Sequence, residues 1–137
     1  MSQFGGLSVF DIVKIVLEDG VIDLAEVEHL RQRLYEGYQI SMEEAEALFR
    51  INEAIVGQNN ADSWQTLFVE AICDYLLTDE ETPGIVDERE ADWLLRKITA
   101  DGKEPDIGEL AILSALKAKA RALPDSLLKK MNKYGIA

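Results

Sequence analysis

Cysteine occurs once, at Cys73, so no disulfide can close within the chain. That usage suits a reducing compartment. The thiol lies in the run Leu67-Phe68-Val69-Glu70-Ala71-Ile72-Cys73 and reads as a small buried group without reactivity. Histidine also occurs once, at His29, with Glu26 and Arg33 at helical spacing; this reads as a solvated salt-bridge face rather than a ligand or base. So few His and Cys residues exclude a Cys/His zinc site, and no Ser-His-Asp set or Gly-rich phosphate loop is cued. No catalytic residue is assigned, and a non-enzymatic protein is expected.

Proline is scarce at three residues, glycine numbers nine, and no low-complexity tract occurs, which excludes extensive disorder. No basic segment followed by an apolar one opens the chain, so no signal peptide is expected. Every apolar run is broken by charge well short of membrane-spanning length. A soluble cytoplasmic protein without membrane insertion is the expectation. Basic residues are the other deficit: 14 Lys and Arg stand against 26 Asp and Glu, a net charge of −12. Such a chain repels phosphate backbones and anionic lipid, which argues against nucleic-acid partners. Cations and the basic surface of another protein are the natural partners.

What is present is helical spacing along nearly the whole of 137 residues, 47% of them hydrophobic. Val9, Phe10, Ile12, Val13, Val16 and Leu17 predict a first helix, started by Ser8 and ended by Gly20. Further helices are predicted over Leu24–Glu36, closed by Gly37, and over Met42–Val56. A loop at Gly57-Gln58-Asn59-Asn60 leads to a helix over Ser63–Leu77. An irregular segment, Thr78–Val86, precedes helices over Glu88–Thr99 and Ile107–Ala122. A short basic helix follows the Leu123-Pro124 break, over 126–134. No run alternates as a strand does. The expected fold is all-α: one compact bundle of about seven helices spanning residues 1–137.

Helix starts share one device. Asp23 is followed three residues later by Glu26, Ser41 by Glu44, Asp62 by Gln65, Asp87 by Glu90 and Asp106 by Glu109. This is the spacing of a capping box, in which the first side chain accepts from the third helical amide and the Glu or Gln reaches back. Ile22, Ile40 and Val86 precede three of these caps, opposite Val27, Ala45 and Ala91, as in a hydrophobic staple. Each cap is worth about 1 kcal/mol.

The same acids admit a second reading as cation ligands. An EF-hand loop places oxygen ligands at positions 1, 3, 5, 7, 9 and 12 around a glycine at 6. With Gly20 at 6, Asp19, Asp23 and Glu26 fall at 5, 9 and 12, but Ile15 and Leu17 occupy 1 and 3. With Gly84 at 6, Asp79, Glu81, Asp87 and Glu90 fall at 1, 3, 9 and 12, and Pro83 occupies 5. A third turn offers Asp101, Glu104, Asp106 and Glu109, interrupted by Lys103 and Pro105. Asp11 and Asp74, each inside an apolar helix, could complete such a set or face solvent. Oxygen donors favour calcium, magnesium or manganese over softer metals. No organic cofactor is expected.

A helix ending in Asp-Gly, followed by Ile-Asp-x-x-Glu opening the next, resembles the TerB-like tellurite-resistance family. The matching segments are Leu17-Glu18-Asp19-Gly20-Val21-Ile22-Asp23-Leu24-Ala25-Glu26 and Gly84-Ile85-Val86-Asp87-Glu88-Arg89-Glu90, and Ala100-Asp101-Gly102 echoes the family's wording. The resemblance implies two helix-turn-helix pseudo-repeats, over about 8–56 and 63–122, and a role in tellurite resistance or stress response. It also implies metal binding by Asp19, Asp23 and Glu26, and by Asp87 and Glu90. Glu80-Glu81-Thr82-Pro83 departs from the family's direct Asp-Gly at the second turn. Tellurite is an anion, and the chain offers no thiol cluster or basic pocket for it. The alternatives are a metal-free interaction module with an acidic docking face and a metal-dependent hydrolase.

Overall fold

Five helices begin in the same way, and that start sets where each one lies. In each, a Ser or Asp with extended backbone precedes the first helical residue. Its side chain accepts from the third helical amide, and the acid at that third position accepts from the cap's own N–H. The pairs are Ser8/Asp11, Asp23/Glu26, Ser41/Glu44, Asp87/Glu90 and Asp106/Glu109. The computed structural model describes residues 7–37, 39–58, 60–78, 83–99, 102 and 104–136. Among them the elements are α1 (Val9–Asp19), α2 (Leu24–Leu34), α3 (Met42–Ile55), α4 (Ser63–Leu77), α5 (Glu88–Ile98), α6 (Ile107–Lys119) and α7 (Asp125–Lys133). The protein is all-α, and among the described residues the one β-bridge is an isolated parallel pairing of Ile85 with Ala122.

The chain divides into two units, Met1–Ala71 and Ile72–Ala137, with the division inside α4. In the first, α1 packs on α2 and α3. Ile12, Val16, Leu30, Leu48 and Ile51 are among its fully buried side chains. These positions recur every three or four residues, so each helix turns one apolar stripe inward. Phe68 meets Phe49 edge-on at 5.1 Å and stacks on Trp64 at 5.3 Å. The Trp64 indole N–H donates to Asn52 Oδ1 at 3.1 Å, which explains a polar side chain buried in α3. In the second unit α5 packs on α7, and Leu94, Ile98, Leu113, Leu116 and Leu127 are buried. Tyr75 and Trp93 rings lie 5.2 Å apart.

Two helix ends, by more than one residue, and the placement of one acid differ from the sequence expectation. Helix α2 stops at Leu34, where the Tyr35 N–H caps onto Arg31 O, so Gly37 lies beyond the helix end. Helix α6 stops at Lys119 rather than Ala122. Ala120 turns extended, and Arg121 and Ala122 pair with the loop at Gly84–Val86. Pro124 reinforces this, because the residue before a proline is disfavoured in helix. Third, Asp11 is the third residue of α1, inside its capping box, and so serves the helix start rather than its interior.

Candidate functional site

The first acidic turn is built from α1, α2 and the loop after α3. Gly20 takes a left-handed conformation, φ +75°, and donates its N–H to Val16 O at 2.7 Å, closing α1. Two residues on, Ile22 is buried and carries the turn into the core. Its N–H donates to Asn60 Oδ1 at 2.9 Å, and its carbonyl accepts from Ala61 N–H at 3.0 Å. Asn60 uses its amide group to donate to Ile55 O at 2.8 Å and Gln58 O at 3.1 Å. One side chain thus closes α3 and pins the α1–α2 turn.

The acids of this turn are held by backbone. Asp23 Oδ1 accepts from Glu26 N–H at 2.8 Å, and Glu26 Oε1 accepts from Asp23 N–H at 3.0 Å. Glu26 is 5% exposed, whereas Asp19 and Asp23 are exposed. Burial raises the Glu26 pKa above its ordinary value; the hydrogen bond from the Asp23 backbone opposes that, and the charges of Asp23 and Asp19 add to it. The three carboxyl groups therefore share one electrostatic neighbourhood.

The second acidic turn repeats this geometry on different supports. Gly84 has φ +79° and donates to Leu77 O at 2.8 Å. Its carbonyl accepts from Arg121 N–H at 2.6 Å, and Val86 N–H donates to Ala122 O at 3.2 Å. Val86 is buried as Ile22 is. Asp87 Oδ1 accepts from Glu90 N–H at 2.8 Å and Glu90 Oε1 from Asp87 N–H at 3.0 Å, matching the first turn. Glu88 accepts from the Ser126 hydroxyl at 3.0 Å, tying α5 to the start of α7. Asp79 and Glu81, the remaining candidate ligands at this turn, lie outside the described residues. At the third turn Gly102 has φ +75°, and Asp106 and Glu109 form a further capping box, while Asp101 lies outside the described residues.

Among the described residues, no group of three or more His, Cys, Asp or Glu is placed to hold a metal ion. Asp23 with Glu26, and Asp87 with Glu90, are brought together as capping pairs. His29 corrects the expectation of a solvated salt-bridge face: it is 6% exposed, and its Nε2 lies 2.9 Å from the Leu7 carbonyl, on the segment leading into α1. Arg31, two residues on, faces α4 instead and pairs with Glu70 at 2.9 Å. Cys73 is buried, with its Sγ 4.0 Å from Ile112 O, and desolvation pushes its thiol up to about 11. A thiol held there is protonated and inert at neutral pH.

Asn60 is the structural residue that spacing did not single out. Its available signal was its position in a polar loop, where Asn side chains take over backbone hydrogen bonds. The Ser8/Asp11 box was missed because Asp, one methylene shorter than Glu, stands at the third position. Compared with known proteins, the chain matches no family model, no curated protein and no solved structure.

Proposed function

We propose that the chain is a non-enzymatic, TerB-like helical protein associated with stress or tellurite resistance, whose α1–α2 acidic turn responds to a divalent cation. The two halves are read as pseudo-repeats, α1-turn-α2 corresponding to α4-turn-α5. The correspondence of the two turns supports this: a left-handed glycine, a buried Ile or Val two residues on, an Asp/Glu capping box with equal hydrogen-bond lengths, and backbone pinning by a later loop.

The observation that carries the cation reading is the burial of Glu26, added to its repulsion by Asp23 and Asp19. A divalent ion beside them would offset both costs. Calcium, magnesium and manganese suit such oxygen donors. A cation that binds only the folded state stabilises it; at ten times its Kd the gain is about 1.4 kcal/mol. Melting curves in each cation, with and without chelator, test this. Asp19→Asn combined with Glu26→Gln keeps the cap and removes two charges. A cation-dependent rise in Tm that this variant loses supports the site. Identical melting curves in all three cations and in chelator overturn it.

A second reading, a metal-free module with an acidic docking face, is favoured by the capping boxes. These give Asp23, Glu26, Asp87 and Glu90 a structural task without any ion.

A further inference from the structure

We propose that the α1–α2 corner is a docking face for a basic, amphipathic helix of a partner protein. Phe10 and Leu17 lie seven residues apart on α1 and therefore on one face, and they are 46% and 43% exposed. Val21, in the turn, and Leu24, the first residue of α2, are 37% and 56% exposed. Single exposed apolar side chains are ordinary on any protein. Among the described residues, four of the eight large exposed apolar side chains fall within fifteen positions of the chain.

The fold makes no demand for them. The inward stripe of α1 is complete with Val9, Ile12, Val13 and Val16. Replacing Phe10 and Leu17 by polar residues would leave that stripe intact.

Charge selects the occupant. Residues 7–30 carry six carboxylates and one ammonium, Lys14. Glu18, Asp19, Asp23 and Glu28 are exposed. Exposed apolar side chains interspersed along α1, its turn and the start of α2 with exposed carboxylates are complementary to a helix with apolar residues at i, i+4 and i+7 and with Lys or Arg alongside. An anionic membrane surface would be repelled by the same carboxylates. The proposal rests on the acidic-docking reading and not on the cation.

The full-length chain, in chelator and at about 0.15 M salt, is titrated against two labelled peptides. One is a Leu/Lys amphipathic helix of about 18 residues, long enough for five turns. The other has the same composition scrambled to remove the apolar stripe. The amphipathic peptide is expected to bind at least about tenfold tighter. Leu24→Ser alone, and Leu17→Ser with Leu24→Ser, should each weaken it about tenfold or more with Tm unchanged. Ile107→Ser, at a site 76% exposed in the other unit, should bind as the parent does. Parent-like binding by both Leu variants, or equal binding of the two peptides, overturns this face while leaving acidic docking standing. No binding of either peptide overturns both. Concentration-dependent self-association abolished by the Leu variants would assign the face to a second copy, and the proposal would fail.

Discussion

Ionising Glu26 costs more in the folded chain than in water, chiefly because the side chain is buried and further because Asp23 and Asp19 repel it. A carboxyl raised in this way favours folding in its protonated form. Its contribution is fully present below the ordinary value of 4.5 and is lost as pH rises through the higher folded-state value. Glu26→Gln, which can still cap, is therefore expected to raise Tm near neutral pH. The gain should shrink as pH falls and vanish below about 4.5, a trend that melting curves across pH 3–8 would check. A gain that stayed constant with pH would show that the charge is not its origin. Cys73 makes a separate prediction at this scale. Its buried, protonated thiol should resist alkylation at pH 7–8 in the folded protein and react only with denaturant present. Single residues were only partly legible. Inertness of Cys73 followed from its apolar run, whereas burial of His29 did not follow from its charged neighbours, because it depends on tertiary packing that brings the Leu7 carbonyl to its ring.

Helices and turns are where local chemistry decides most. Caps act within four residues, so Asp23/Glu26, Ser41/Glu44, Asp87/Glu90 and Asp106/Glu109 could be read from spacing alone. The ends of α2 and α6 could not, since Ala120–Ala122 leaves the helix to pair with a loop some 35 residues earlier. The two acidic turns predict different sensitivities. In the first, Ile22 N–H depends on the Asn60 side chain. Asn60→Ala should cost about 1–3 kcal/mol by stranding that donor near the core, measurable by urea denaturation. In the second, Val86 N–H is satisfied by backbone, which no side-chain replacement removes. The glycines order the other way. Gly20→Ala pays the left-handed penalty of about 1–2 kcal/mol, with no atom within 4 Å of the new carbon. Gly84→Ala pays the same penalty and also meets Arg121 Cδ at 2.9 Å, so it should cost more. Adding Arg121→Ala should return Gly84→Ala to the cost of Gly20→Ala. If the double variant is no better than the single, the Arg121 stem is not the cause.

Charge is distributed unevenly over the molecule as a whole. Residues 1–71 hold thirteen acidic side chains against four basic ones, while residues 72–137 hold thirteen against ten. Of the four, Arg31 and Arg33 are committed to Glu70 and Glu36. Self-repulsion of this kind lowers stability and is screened by salt. Raising sodium chloride from 0.02 to about 0.3 M is expected to raise Tm by a few degrees, since the Debye length falls below about 6 Å. A specific divalent response should persist on top of that screening, so calcium added at high salt separates a site from an ion atmosphere. Among the described residues no helix is long and apolar enough to cross a membrane, in keeping with the interrupted apolar runs of the sequence.

By itself the amino-acid order determined that the chain is helical, where five of its helices begin, and that it carries a large negative charge. Periodicity, capping and net charge act over a few residues or simply add, so no folded neighbour is needed to see them. Tertiary structure alone decided that Asn60 and the Arg121–Ala122 segment pin the two acidic turns, that His29 is buried, and that Phe10, Leu17, Val21 and Leu24 are left outside the core. Those outcomes depend on which distant backbone groups and faces meet, and that is a property of packing that no local pattern encodes.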